Sequence, residues 1–105
     1  MKIHWDEKAE WQMNQVAAYI LQDFGVNSLI DFSQELNHTT ELLQANPYMC
    51  ALDPLLTKRS RTYRSTIINR RSKMVYYVDD QNETIHIAAF WDCRREPLSQ
   101  IEHLE

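Results

Sequence analysis

Cysteine is scarce in this chain. Cys50 and Cys93 are the only two, far apart and without a CxxC or His/Cys cluster, so they read as free thiols. The four histidines, His4, His38, His86 and His103, are scattered, and their spacing offers no ligand set. No metal and no cofactor are therefore expected. Long apolar runs are missing too. None approaches the roughly 18 residues that span a membrane, and no apolar h-region follows Lys2 to mark a signal peptide. The expectation is a cytoplasmic protein without a membrane partner. No repeat, low-complexity tract or linker divides the chain. Glycine occurs once, at Gly25.

What is present suits a single domain. At 105 residues the chain is long enough to bury a core without disulfides. Its net charge of −4 hides a strong asymmetry. Residues 1–57 sum to −6, residues 58–73 to +7 and residues 74–105 to −5. A basic segment on an acidic protein suits either a phosphate-rich partner or a solvated strand edge that discourages aggregation.

Local patterning supplies the elements. Lys2 to Trp5 alternates polar with apolar and reads as a short strand. Asp6 to Phe24 reads as a helix, with Ala9, Met13, Val16, Ile20 and Phe24 on one stripe and Ala17 and Leu21 widening it. Asp6 is its expected N-cap, and Gly25 falls where a C-cap needs positive φ. A second helix follows at once, with Ser28 and Asp31 spaced as a capping box. Leu29, Phe32, Leu36, Thr40 and Leu43 form its stripe, strengthened by Leu42, and Asn46-Pro47 stops it. So short a link predicts an antiparallel helical hairpin. Tyr48 to Arg61 is a connector, pinned by Leu52, Leu55 and Leu56.

Three antiparallel strands are expected next: Thr62 to Asn69, Met74 to Asp79 and Thr84 to Trp91. Arg70-Arg71-Ser72 and Asp80-Gln81-Asn82-Glu83 make the breaks. Simple alternation puts Ile85, Ile87, Ala89 and Trp91 on one face, and Thr84, His86, Ala88 and Phe90 on the other. One face should carry the hairpin. Residues 98–105 read as a helical turn or a disordered tail. The fold class is α+β: an N-terminal strand, a helical hairpin, then a three-stranded antiparallel meander with the helices packed on one sheet face.

This order resembles the RelE/ParE superfamily of toxins from type II toxin–antitoxin systems. The likeness is carried by Trp5 and Ala9, by Gln44-Ala45-Asn46-Pro47-Tyr48, by Lys73-Met74-Val75-Tyr76-Tyr77-Val78-Asp79, and by Phe90-Trp91-Asp92-Cys93-Arg94-Arg95-Glu96-Pro97. It implies a toxin neutralised by a cognate antitoxin that covers sheet or helix surface. RelE-like members cut mRNA on the ribosome, whereas ParE-like members poison DNA gyrase without nuclease chemistry. The nuclease needs cations to hold phosphate charge and groups to move protons. The resemblance places Arg64, Lys73 and Arg94 as catalytic candidates, with Arg61, Tyr63, Arg70, Arg71 and Arg95 as RNA contacts. Thr66 stands where nuclease members carry a second basic residue. No tyrosine or histidine follows Arg94 until His103. The basic segment tips the expectation towards a ribosome-dependent mRNA endonuclease that inhibits translation, with the other two readings as alternatives. The missing acid–base group favours the gyrase inhibitor, and the acidic net charge a non-toxic antitoxin-binding relative.

Overall fold

The computed structural model describes residues 1–94 and 97–105. Four strands form one sheet, and two long helices lie against it. Strand β1 spans Lys2–Trp5, β2 Arg64–Ile68, β3 Ser72–Asp79 and β4 Thr84–Asp92. Helix α1 spans Glu7–Phe24, α2 Val26–Ala45 and the short α3 Pro97–Ile101, with a 3₁₀ turn over Pro54–Leu56. The sheet order is β1-β4-β3-β2. The meander pairs antiparallel, while β1 lies parallel to β4 with His4 beside His86 and Trp5 beside Ile87. The expected α+β architecture is present.

Helix α1 packs on β4, and its Ala9, Val16 and Ile20 are buried. Phe24 and Leu21, expected on the same stripe, are about half exposed. Phe24 lies under the Arg71 guanidinium instead. Gly25, at φ 92°, serves both helices. Its N–H donates to the Ile20 and Leu21 carbonyls, and its carbonyl accepts from Leu29 N–H. Only glycine takes this backbone easily. The second helix therefore starts at Val26, and Ser28 is already inside it. Ser28 Oγ donates back to the Phe24 carbonyl at 3.3 Å rather than forming a capping box with Asp31. The hairpin closes where the amino group of Met1 donates to the Gln44 carbonyl at 2.9 Å.

The meander turns on local chemistry. Asn69 and Arg70 both take positive φ, as the primed hairpin turns require. The β3–β4 turn uses Asp79, whose carboxylate accepts from Asn82. Those bonds hold the Asp79 carboxyl below its ordinary value.

A register shift between β3 and β4 corrects the expected faces. Val75 pairs with Ala89 but Tyr76 pairs with Ile87, so Ala88 is an extra residue on β4. A bulge of this kind reverses the alternation beyond it. Phe90 therefore joins Ile85 and Ile87 in the core beneath the hairpin, with Phe32, Leu36, Leu43, Met74 and Tyr76. Trp91 joins Ala88, Ala89, Val75, Leu56, Tyr63 and Ile101 on the opposite face. Helix α3 caps this second cluster, so residues 97–101 are structured.

The early end of β1 explains a buried glutamine. Strand β1 stops pairing when Asp6 N–H donates to the Ile87 carbonyl and the chain enters α1. Beyond that point the outer edge of β4 needs another partner. Gln12, 3% exposed, supplies it: Oε1 accepts from Phe90 N–H at 3.0 Å, and Nε2 donates to the Gln100 carbonyl at 2.9 Å.

Of the connector leucines, only Leu56 is buried; Leu52 and Leu55 are about half exposed. The segment is fixed by polar bonds. Leu52 bridges Arg64, Asp53 N–H donates to the Tyr63 carbonyl, and Ser65 N–H donates to the Ala51 carbonyl. Residues 51–53 thus cover the first half of the β2 edge.

Candidate functional site

The three catalytic candidates do not share a site. Arg64 pairs with Tyr76, so it lies on the hairpin side of the sheet. Its guanidinium donates to the Cys50 carbonyl at 2.7 Å and stacks over Tyr48 at 5.2 Å. It holds the connector that follows α2. Tyr76 works beside it, donating its hydroxyl to the Pro47 carbonyl at 2.9 Å.

Lys73 projects from the opposite face. Its Nζ lies 2.6 Å from Asp53 Oδ2 and 5.5 Å from the Trp91 ring centroid. The Asp53 side chain is fully buried and also accepts from Leu55 N–H at 2.8 Å, capping the 3₁₀ turn. Burial raises the Asp53 carboxyl, but hydrogen bonds from Lys73, Ser65 and Leu55 N–H outweigh it and hold the group low. Lys73 is the counter-ion of this acid.

Arg94 follows β4 on the α1 side. Its guanidinium donates to Asp92 Oδ2 at 3.1 Å and to Tyr19 Oη at 3.0 Å. Hydrogen bonds to Asp92 and Tyr19 raise its pKa further. A shallow cavity of about 210 Å³ opens here between Val16, Tyr19, Asp92 and Arg94. From Ile87, opposite Tyr76, to Asp92 is on the order of 15 Å at strand rise, so Arg64 stands level with the middle of β4 while Arg94 lies beyond its C-terminal end.

The remaining RNA-contact candidates also scatter. Tyr63 is 4% exposed and meets Tyr77 edge-on, which leaves no ring face for a base. Arg61 stacks over Tyr77, its Cζ 4.3 Å from the ring centroid. Arg70 is exposed in the β2–β3 turn. Arg71 covers Phe24, and its carbonyl accepts from Cys93 N–H, so Arg71 and Arg94 belong to the same end of the sheet. Arg95 lies outside the described residues.

Sequence spacing missed a different grouping. On the face opposite the hairpin, His4, Asp6, His86, Tyr77, Asp79 and Arg61 converge. Parallel pairing sets His4 beside His86, their ring centroids 5.3 Å apart. Asp6 Oδ1 lies 3.7 Å from His4 Nε2 and 3.4 Å from His86 Nδ1. His86 stacks on Tyr77 at 4.8 Å with an interplanar angle of 11°. His103 reaches the same face, its Nε2 2.9 Å from the Ala88 carbonyl. The only available signal was the reading of Lys2–Trp5 as a strand. Which strand it would join was not written in the pattern.

A sheet of order β1-β4-β3-β2 with a helical hairpin on one face makes an α+β fold that can be compared with solved structures. Among solved structures, a chain of the chromosomal ParDE TA system from P. aeruginosa shares this fold at TM-score 0.67 and 16% identity. The match covers 88% of this chain and 95% of that one. No protein-family model and no curated protein matches the chain. The likeness is therefore one of fold. Among the described residues, no helix is long and apolar enough to cross a membrane.

Proposed function

We propose that this chain is the toxin of a type II toxin–antitoxin pair and that it acts in the ParE manner, on DNA gyrase, without cutting mRNA. The observation that carries the choice is the division of Arg64, Lys73 and Arg94: Lys73 lies on the face opposite the other two, and Arg64 is set back along the strands from the end that holds Lys73 and Arg94. RNA cleavage by 2′-OH attack needs cations converging on one phosphate within a few ångströms. Here each cation already serves a carbonyl or a carboxylate of its own chain. The fold shared with a chain of the ParDE system supports the toxin reading. A cognate antitoxin fits the exposed apolar surface of the hairpin, where Trp11, Leu21, Val26 and Ile30 are 45–59% exposed. Burying such residues with an amphipathic segment is a favourable way to neutralise the protein.

A second reading has its own observation. His86, His103, Tyr77 and Arg61 gather on the face opposite the hairpin and would offer proton-transfer groups with a cation, outside the set taken from the resemblance. Inducible expression without the antitoxin separates the two. The gyrase reading expects growth arrest, DNA-damage signalling and unchanged mRNA 5′ ends. New 5′ ends at ribosome-occupied codons would overturn it in favour of the nuclease.

A further inference from the structure

We propose that His4, Asp6 and His86 bind a divalent transition-metal ion of the zinc class and that the ion clamps β1 to β4. The inference stands apart from the toxin reading, because it concerns the N-terminal strand and needs no cellular target.

The backbone builds the ligand set. Parallel register sets His4 directly beside His86 on the face opposite the hairpin. Asp6 lies two positions further along, and its N–H still bonds the Ile87 carbonyl, so its side chain returns to that face. One ligand atom from each residue lies within 4.8 Å of the other two. The contacts of Asp6 Oδ1, 3.4 Å to His86 Nδ1 and 3.7 Å to His4 Nε2, approach the edge of a metal tetrahedron. Bonds of about 2.0–2.1 Å give tetrahedral edges of about 3.4 Å.

The surroundings are those of a metal-holding imidazole. Tyr77 stacks flat on His86 and fixes its plane. Asp79 Oδ2 lies 3.9 Å from His86 Nε2, the nitrogen turned away from Asp6. At that distance the carboxylate makes no direct hydrogen bond to the ring and contributes only negative charge beside it. His4 is 59% exposed, which gives an ion its entry path. Three protein ligands leave a fourth position for water. Two imidazoles and one carboxylate favour Zn²⁺, Co²⁺, Ni²⁺ or Cu²⁺ over Mg²⁺ and Ca²⁺, which take oxygen ligands. Four-residue β1 pairs along one edge only, so a cross-strand ion would hold it to the sheet.

The test is titration of the untagged protein with Zn²⁺ by calorimetry and with Co²⁺ by visible absorption. One ion per chain is expected, with the intense bands of low-symmetry Co²⁺ and a Tm that climbs with Zn²⁺ concentration. His4→Asn changes an exposed side chain and leaves the fold in place. It should weaken binding at least tenfold, and His86→Asn should do the same. His38→Asn, on exposed α2 surface, should change nothing. Mg²⁺ should not compete. Absence of Zn²⁺ binding by the wild type, or undiminished binding by His4→Asn, would overturn the proposal.

Discussion

Replacing Lys73 with methionine is expected to destabilise the protein by about 3–5 kcal/mol, the usual cost of stranding a buried charge. At about 4–8 °C per kcal/mol for a domain near this size, Tm should fall by roughly 12–40 °C. The reason is Asp53: its side chain is fully buried, and Lys73 Nζ at 2.6 Å is its counter-ion. A lysine serving only catalysis would leave Tm unchanged when replaced, so thermal denaturation separates the two roles. Adding Asp53→Asn to Lys73→Met should recover part of the loss, because the charge left unpaired is then gone.

The same pair makes stability depend on acid. The folded Asp53 carboxyl is held below its ordinary value, as are those of Asp79 and Asp92. Such groups stabilise the fold above the unfolded carboxylate value of about 3.9 and lose that contribution as pH falls through the lower folded value. Urea midpoints measured from pH 5 downward should therefore drop below about pH 4. The drop should be shallower in Asp53→Asn.

Gln12→Met is expected to cost about 2–6 kcal/mol. It keeps the side-chain length but orphans two groups, Phe90 N–H and the Gln100 carbonyl, at about 1–3 kcal/mol each when buried. Gln15→Met on the exposed side of the same helix should stay within about 0.5 kcal/mol. Equal urea midpoints for the two variants would mean that Gln12 does not complete the β4 edge.

These positions show where sequence reading stops. Strands, helices and their order were legible because periodicity reports burial, and Gly25 and Asn46-Pro47 report breaks. The Ala88 bulge was not legible, because a β-bulge leaves no mark in a run of apolar residues. It moved Phe90 and Trp91 to faces opposite to those expected. Gln12 looked like an ordinary polar helix residue, since its burial depends on β1 ending one turn earlier. The cations were visible, but their partners were not. Asp53 lies in a connector whose leucines drew attention, yet the aspartate anchors it. His4 and His86 are 82 positions apart, and only the parallel pairing of β1 with β4 makes them neighbours.

Arg64 and Lys73 each hold a part of this fold, and the proposed function therefore has the protein act by contact, on gyrase, without nuclease chemistry. The most direct measurement exposes purified protein to two targets side by side: gyrase supercoiling relaxed plasmid, and ribosomes paused on a defined mRNA. The account predicts blocked supercoiling with trapped DNA breaks, and intact mRNA. Normal supercoiling together with mRNA cut in the ribosomal A site would contradict it.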